Sequence, residues 1–159
     1  DYLDGMERAV HEALEQARGQ ADFTAESIIG IGIDCTGSTP IPLNADGRPL
    51  ALTEEFNDDP NAMAWLWKDH TAHAEAAEIT ELAAKLRPHY LAKCGGGYSS
   101  EWYWSKLLHC KRVAPRVFAA AHTWAEHTDW MPAVWPPNGC WHPAPTPPAA
   151  RCTSTAAHG

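Results

Sequence analysis

The stretch "SIIGIGIDCTGSTP", residues 27–40, decides the fold. Its apolar run from Ile28 to Ile33 is β-branched except at Gly30 and Gly32, and it closes on Asp34 and a set of small residues. Continuous apolarity with β-branching predicts a strand buried on both faces, as in a sheet covered by helices. Upstream, Leu3, Met6, Val10, Ala13 and Leu14 recur at helical spacing between Tyr2 and Arg18, with acids early and Arg18 late, as the helix dipole favours. A helix followed by a buried strand is the alternation of an α/β fold. The loop from Cys35 to Thr39 would then lie at the carboxyl edge of the sheet, where small side chains let a ligand approach the backbone.

Downstream, "PIPLNADGRPLALTEEF" (40–56) reads as two short extended pieces around Asp46-Gly47, a hairpin signal. Asn61 to Trp67 fits a short helix or strand, and the alanine-rich run from Thr71 to Leu86 fits a helix that Pro88 ends. After the glycine triplet 95–97, Ser99 or Ser100 can cap a helix running through Trp102, Trp104, Leu107 and Leu108, with Glu101 in its first turn. Val117 to Trp124 fits a strand or a helix, and "EHTDWMPAV" (126–134) a helix. Beyond Val134 the chain is rich in Pro, Ala and Thr, carries the single charge of Arg151 and has no hydrophobic period. The expected organisation is a folded unit over 1–134 and an irregular tail over 135–159.

A chain of 159 residues suits one domain or one lobe of something larger. The net charge of −8, with no basic run, excludes a nucleic-acid binder of the usual kind, since phosphates require clustered Lys and Arg. No apolar run reaches membrane-spanning length, and the opening "DYLDGMERAV" is acidic where a signal peptide would be basic, so no membrane contact and a cytoplasmic protein are expected. Five cysteines include no Cys-x-x-Cys pair, which favours reduced thiols over a disulfide framework or structural zinc. Eight tryptophans need acceptors for their N–H groups, and some of them suit a cleft that receives a polar ligand.

The densest chemistry lies in "WLWKDHTA", residues 65–72. His70 and His73 with Asp69 could offer ligands to a metal, but the Glu and second His of the zincin helix are absent, and two histidines at a helix start, one satisfied by Asp69, are the commoner arrangement. Cys35 at a strand end could be a nucleophile, yet no local protease signature surrounds it, and a packed thiol is the commoner outcome. Neither "GIGIDCTG" nor "KCGGGYSS" has the Walker arrangement of a phosphate-cradling loop, in which a lysine follows the glycines, and glycines inside a strand more often permit close packing. A polyhydroxyl pocket needs an apolar plane and a few directed polar groups, which Trp67, Lys68, Asp69 and the loop from Cys35 to Ser38 supply. A structural tryptophan cluster explains the same composition.

Taken together, "GIGIDCTGSTPIPLNADGRPLAL", "NAMAWLWKDHTAHAEAAEIT", "GGGYSSEWYWSKLLH" and "EHTDWMPAV" resemble the FGGY carbohydrate kinase family, in the family's order and over about residues 1–134. The "DHTA" of Asp69 to Ala72 resembles the L-ribulose branch, where D-ribulose relatives tend to carry Arg at the Thr position. The resemblance implies an α/β fold, part of an actin-like, ribonuclease H-like sugar kinase lobe, and ATP-dependent phosphorylation of L-ribulose to L-ribulose 5-phosphate in arabinose catabolism. It also implies that Gly37 and Trp67 line the site for a small-molecule ketopentose, with Lys68 and Asp69 beside it, and that Tyr98, Ser99 and Glu101 shape the same pocket. Position 37 and the Trp67 indole should then border one recess.

The family's Asp-Phe-Gly hairpin at the ATP phosphates, its catalytic aspartate motif and its Ala-Gly-His-Lys stretch are not found in these residues, and the tail after Val134 departs from the family, as a frameshifted end would. The resemblance therefore implies a fragment of the sugar-binding side, inactive alone, with no catalytic residue and no metal ligand of its own. ATP and Mg2+ serve the full-length family and should bind this chain poorly. Another chain supplying the missing kinase lobe, or self-association through an uncovered lobe interface, are the partners this allows. The rival expectation is a non-catalytic binding or interaction module.

Overall fold

The computed structural model describes residues 2–135. The first helix, α1, runs Tyr2–Ala17 as its spacing predicts. None of its residues is fully buried, and Leu3 and Met6 reach inward onto one of two apolar clusters.

The stretch from Ile28 to Ile33 overturns the expectation placed on it, for it forms no strand. Ile28 and Ile31 are exposed, Ile29 is 101% exposed, and Ile33 alone of the four isoleucines packs against an apolar cluster. A doubly buried strand needs neighbours that pair its backbone and cover both its faces. Among the described residues no strand lies beside this one, and the only sheet is two-stranded and antiparallel. The molecule mixes helices with a small antiparallel sheet, as an α/β chain does, but the helix-covered sheet expected around residues 28–33 is not formed by the described residues.

Strand β1 spans Pro40–Leu43 and is wholly buried. The turn after it forms as read: Gly47 takes φ 75°, and the Asn44 side chain accepts from the N–H groups of Asp46 (3.0 Å) and Arg48 (2.9 Å). The returning arm, however, makes one bridge, Leu43 to Pro49, and then coils into a 3-10 turn at Leu50–Leu52. Pro49 has no N–H with which to extend a ladder. The true partner of β1 is β2, Thr123–Glu126, with Pro40 opposite Glu126 and Leu43 opposite Thr123. His127 N–H donates to Thr39 O (3.0 Å), which puts odd-numbered residues of this strand in hydrogen-bonded positions. Pro40 and Pro42 fall between them, and the carbonyl of Pro40 turns the other way to accept from Trp65 N–H (3.0 Å).

The remaining helices are α2 His73–Leu86, α3 Pro88–Lys93, α4 Tyr103–Val113, α5 Pro115–Ala120 and α6 His127–Val134. Pro88 and Pro115 open α3 and α5, where the missing N–H is not needed. Val117 to Trp124, read as strand or helix, divides into the end of α5 and the start of β2. The stretch from Asn61 to Trp67 begins in a 3-10 turn, Pro60–Ala62, capped by the Asp59 carboxylate. Neither Ser99 nor Ser100 caps α4, whose preceding residue is Trp102; Ser99 instead takes the Glu101 N–H on its Oγ (3.2 Å) and the Ser105 hydroxyl on its carbonyl (2.9 Å).

Helix α4 lies centrally, against α2, α5 and β1. One cluster, of Leu50, Phe56, Ala62, Trp65, Cys110, Ala114 and Val117, fills the space below α4 and α5. The other joins β1 to α6 through Ile41, Leu43, Trp130 and Met131. Trp130 is tied in further by its indole N–H, which donates to Gly47 O at 3.0 Å and so bolts the turn after β1 to α6.

Candidate functional site

The inward face of α4 buries Ser105, Leu107 and Cys110, and in the same row a lysine. Lys106 is 0% exposed. Its ammonium donates to Ser38 O (2.6 Å) and Leu66 O (2.6 Å), with Trp65 O at 3.5 Å. Three N–H donors thus meet three backbone carbonyls from two loops, which is how a buried ammonium is tolerated. Burial pulls its pKa below the ordinary lysine value, against the opposing pull of Asp69, Glu126 and Glu101. Glu126, at the end of β2, also accepts from Thr39 N–H (2.8 Å), so the loop before β1 is held from two sides.

That loop carries Gly37. A side chain at 37 would meet nothing within 4 Å, so the glycine opens the loop to solvent and relieves no crowding. The left-handed residue is its neighbour Ser38, φ 56°.

In "WLWKDHTA" the two indoles part company. Trp65 is core, its N–H donating to Asn61 O (3.0 Å), whereas Trp67 is 48% exposed. Asp69 Oδ1 accepts from the backbone N–H (2.8 Å) and hydroxyl (2.6 Å) of Thr71, and so forms the turn that leads into α2. Burial tends to raise the Asp69 pKa, but the Thr71 bonds and the nearby Lys106 and His109 bring it below the usual carboxylate value. Asp69 does not satisfy a histidine as the sequence suggested. His70 reaches the other way, with Nδ1 3.0 Å from Ser100 Oγ and Nε2 3.1 Å from Glu101 Oε1.

Three segments therefore meet: 35–39, 65–70 and 99–106. Lys106 joins the first two from inside, and His70 clamps the second to the third from outside. Beside them opens a cleft of about 670 Å³ whose lining includes Asn61, Trp65, Leu66, Lys68, Asp69 and His109. Behind His109, Glu75 is buried, with its carboxylate 3.0 Å from His109 Nδ1 and 3.1 Å from the Arg112 guanidinium. Burial alone would raise the Glu75 pKa; bonds from its own N–H, Arg112 and His109 outweigh this and lower it.

Of the residues singled out in the sequence, Lys68 and Asp69 line this cleft, while Gly37 and Trp67 do not. Gly37 sits in the loop that Lys106 ties to the segment of Trp67. Ser99 organises the turn before α4, and Glu101 pairs with His70. Tyr98 is engaged away from the cleft: its N–H donates to Thr80 Oγ1 on α2 (2.9 Å), its hydroxyl accepts from Trp104 N–H (3.3 Å), and its ring stands edge-on to Trp102. Burial raises its pKa.

Sequence reasoning missed Lys106 as the link. The available signal was a lone lysine on the face of α4 that Leu107 and Cys110 mark as buried. The glycine triplet, by contrast, has a local task. Gly95 and Gly96 take φ 74° and 94°, and Gly96 N–H bonds Leu91 O (2.8 Å), which terminates α3. No group of three His, Cys, Asp or Glu close enough to hold a metal occurs among the described residues. No described helix is long and apolar enough to cross a membrane.

No protein-family model matches the chain. Comparison with curated proteins does find relatives. The chain is 44% identical over 135 residues to a ribulokinase of Vibrio parahaemolyticus, 38% over 133 residues to one of Shouchella clausii and 36% over 139 residues to one of Mycolicibacterium smegmatis. These matches cover 84%, 84% and 87% of this chain but 23%, 23% and 24% of those proteins, so the chain spans about a quarter of the length of the curated relatives it matches.

Proposed function

We propose, from the premise that this chain belongs with the ribulokinases across the stretch it shares with them, that it is the sugar-binding side of an ATP-dependent L-ribulokinase. Residues 1–134 correspond in this reading to part of the N-terminal, actin-like lobe, and 135–159 to a tail whose residues 136–159 lie outside those described. The ligand is a ketopentose, L-ribulose first among them, and the reaction of the whole enzyme is transfer of a phosphoryl group to its terminal hydroxyl in arabinose breakdown. The setting is cytoplasmic.

The observation that carries this reading is the Lys106 junction, which sets the open loop at Gly37 against the segment bearing Trp67. An exposed indole offers the flat apolar face on which a sugar ring or chain rests. Lys68 and Asp69, the next two residues, supply directed polar atoms in the adjoining cleft, while Glu101 shapes the wall through the His70 clamp, Ser99 through the Glu101 N–H, and Tyr98 through its bond to Thr80. The role of Glu101 is thus to hold His70 as much as to meet a hydroxyl.

Phosphoryl transfer also needs a base, a nucleotide site and Mg2+, which neutralises charge on the phosphates when bound. The described residues do not fit that half of the task. Asp69 is bound to Thr71, Glu101 to His70 and Glu126 to Thr39, and the glycine triplet closes a helix. In this reading the described residues position a sugar and do not supply the phosphoryl-transfer chemistry; a non-catalytic binding module is the behaviour expected of the chain in isolation. Calorimetry with L-ribulose should give weak saturable heat that Trp67→Ala abolishes. Silence toward every pentose and pentulose would overturn the sugar assignment, and turnover in an ATP-coupled assay would overturn the inactivity.

A further inference from the structure

One peptide plane joins the loop of Gly37 to β1, and each of its polar ends meets a charge. The carbonyl of Ser38 accepts from the Lys106 ammonium (2.6 Å), and the N–H of Thr39 donates to the Glu126 carboxylate (2.8 Å). Turned over, the same peptide would aim its carbonyl at the carboxylate and its N–H at the ammonium. Two repulsions would then replace two charge-assisted bonds.

The position needs such a lock. Among the described residues Ser38 is the one non-glycine with a positive φ, 56°, a conformation that costs an L-residue free energy and persists where its surroundings over-determine it. Thr39 has little freedom to compensate, because it precedes Pro40 and is biased toward extended backbone. The course of the loop into β1 therefore turns on the Ser38–Thr39 peptide.

The carboxylate also stands where a neutral group would ordinarily serve. His127 N–H donates to Thr39 O (3.0 Å), and in an antiparallel pair the return bond would run from Thr39 N–H to His127 O. His127 opens α6, and the Glu126 side chain takes that bond instead. Thr39 is 2% exposed and Lys106 0%, so the lock is shielded from water. Glu126 is among the carboxylates that raise the Lys106 pKa, as two opposite charges on either side of one peptide would.

We infer that Glu126 is a positioning residue of the ketose site: with Lys106 it holds the Ser38–Thr39 peptide in one orientation and so fixes the loop that carries Gly37. The ligand rests on the sugar reading given above; the lock does not.

The test is made on the full chain with Glu126→Ala and Glu126→Gln. In the parent, the Thr39 amide proton should resonate at low field, as a donor to a carboxylate, and exchange slowly. Glu126→Ala should shift it upfield and speed its exchange by about tenfold or more, through loss of one charge-assisted bond. The amide of His122, bonded to Leu43 O at the far end of the sheet, should keep its protection. Glu126→Gln retains an acceptor without the charge and should recover part of both effects. Calorimetry with L-ribulose should follow the same order, with the alanine variant weaker than the parent by about tenfold or more. Circular dichroism reports folding; if the alanine variant does not fold, the upfield shift of Thr39 in Glu126→Gln decides. A Thr39 signal unmoved by loss of the carboxylate overturns the lock, and unchanged L-ribulose affinity in a folded Glu126→Ala overturns the positioning role. A parent that ignores L-ribulose while Thr39 responds as stated overturns the sugar reading and establishes the lock alone.

Discussion

Replacing Lys106 with methionine keeps most of the side chain's apolar volume and removes the ammonium. Two close charge-assisted bonds, to Ser38 O and Leu66 O at 2.6 Å, are lost, with a gross value of about 3–6 kcal/mol together. Removing the buried charge also cancels its desolvation cost, roughly several kcal/mol for an ammonium this deep. The two terms nearly offset, and the carbonyls decide the sign. Ser38 is half-buried and Leu66 exposed, so water reaches both loops and recovers part of the loss. The expected net destabilisation is about 2 kcal/mol, which at an m-value of roughly 2 kcal/mol/M lowers the urea midpoint by about 1 M. Tryptophan fluorescence reports the unfolding. Amide exchange should accelerate first at 36–39 and 65–70, the two loops released, before the helices respond. A variant as stable as the parent, with unchanged exchange in both loops, would refute the role given to Lys106 and with it the joining of the Gly37 and Trp67 segments.

Glu75→Gln tests the network behind the cleft. The folded pKa of Glu75 lies below its ordinary 4.5, so the stability it contributes is full above that value and lost as pH falls through the folded pKa. The glutamine variant should be less stable than the parent by about 1–3 kcal/mol at pH 7, and urea titrations should show the gap closing below pH 4.5; a gap constant with pH would dismiss the carboxylate as its source. Cys110 is 0% exposed, and burial, with the charge of Asp59, pushes its thiol up to about 12. Mass-resolved labelling at pH 8 should modify the half-buried Cys35 and Cys94 in the folded chain and Cys110 only as fast as the chain unfolds.

What was legible in the sequence follows the range of the forces involved. Helices α1, α2 and α6 were read correctly because their signals are local: apolar spacing, alanine content and a proline stop. The Asp46-Gly47 turn was equally local. The pairing of β1 was not, since its partner lies beyond four intervening helices and Pro49 blocks the nearer arm. Ile28 to Ile33 misled for a related reason. Composition marks a segment as fit for burial, but burial requires neighbours that no window of sequence contains. At the site, the residue types of Trp67, Lys68 and Asp69 pointed to polyol chemistry, yet which of two indoles was free depended on the bond from Trp65 to Asn61 O. The hub, Lys106, was hidden because its acceptors are backbone carbonyls, and carbonyls leave no mark in the sequence.

The charges around that hub bear on what the site accepts. Asp69, Glu101 and Glu126 all raise the pKa of the single buried ammonium, so three carboxylates surround one cation whose donors are already spent on Ser38, Leu66 and Trp65. Such a neighbourhood offers acceptors in excess and disfavours an anion, because among the described residues that line the cleft the exposed Lys68 is the one lysine or arginine to answer it. A neutral polyol, which brings hydroxyl donors and no charge, fits that balance; a sugar phosphate seated with its phosphate against the carboxylates does not. If the proposed function holds, the electrostatics of this half of the cleft favour substrate over product, and binding energy here serves to hold the ketose in place rather than to stabilise the charge that develops during transfer. That division assigns orientation to the Trp67 side and charge neutralisation to residues outside those described.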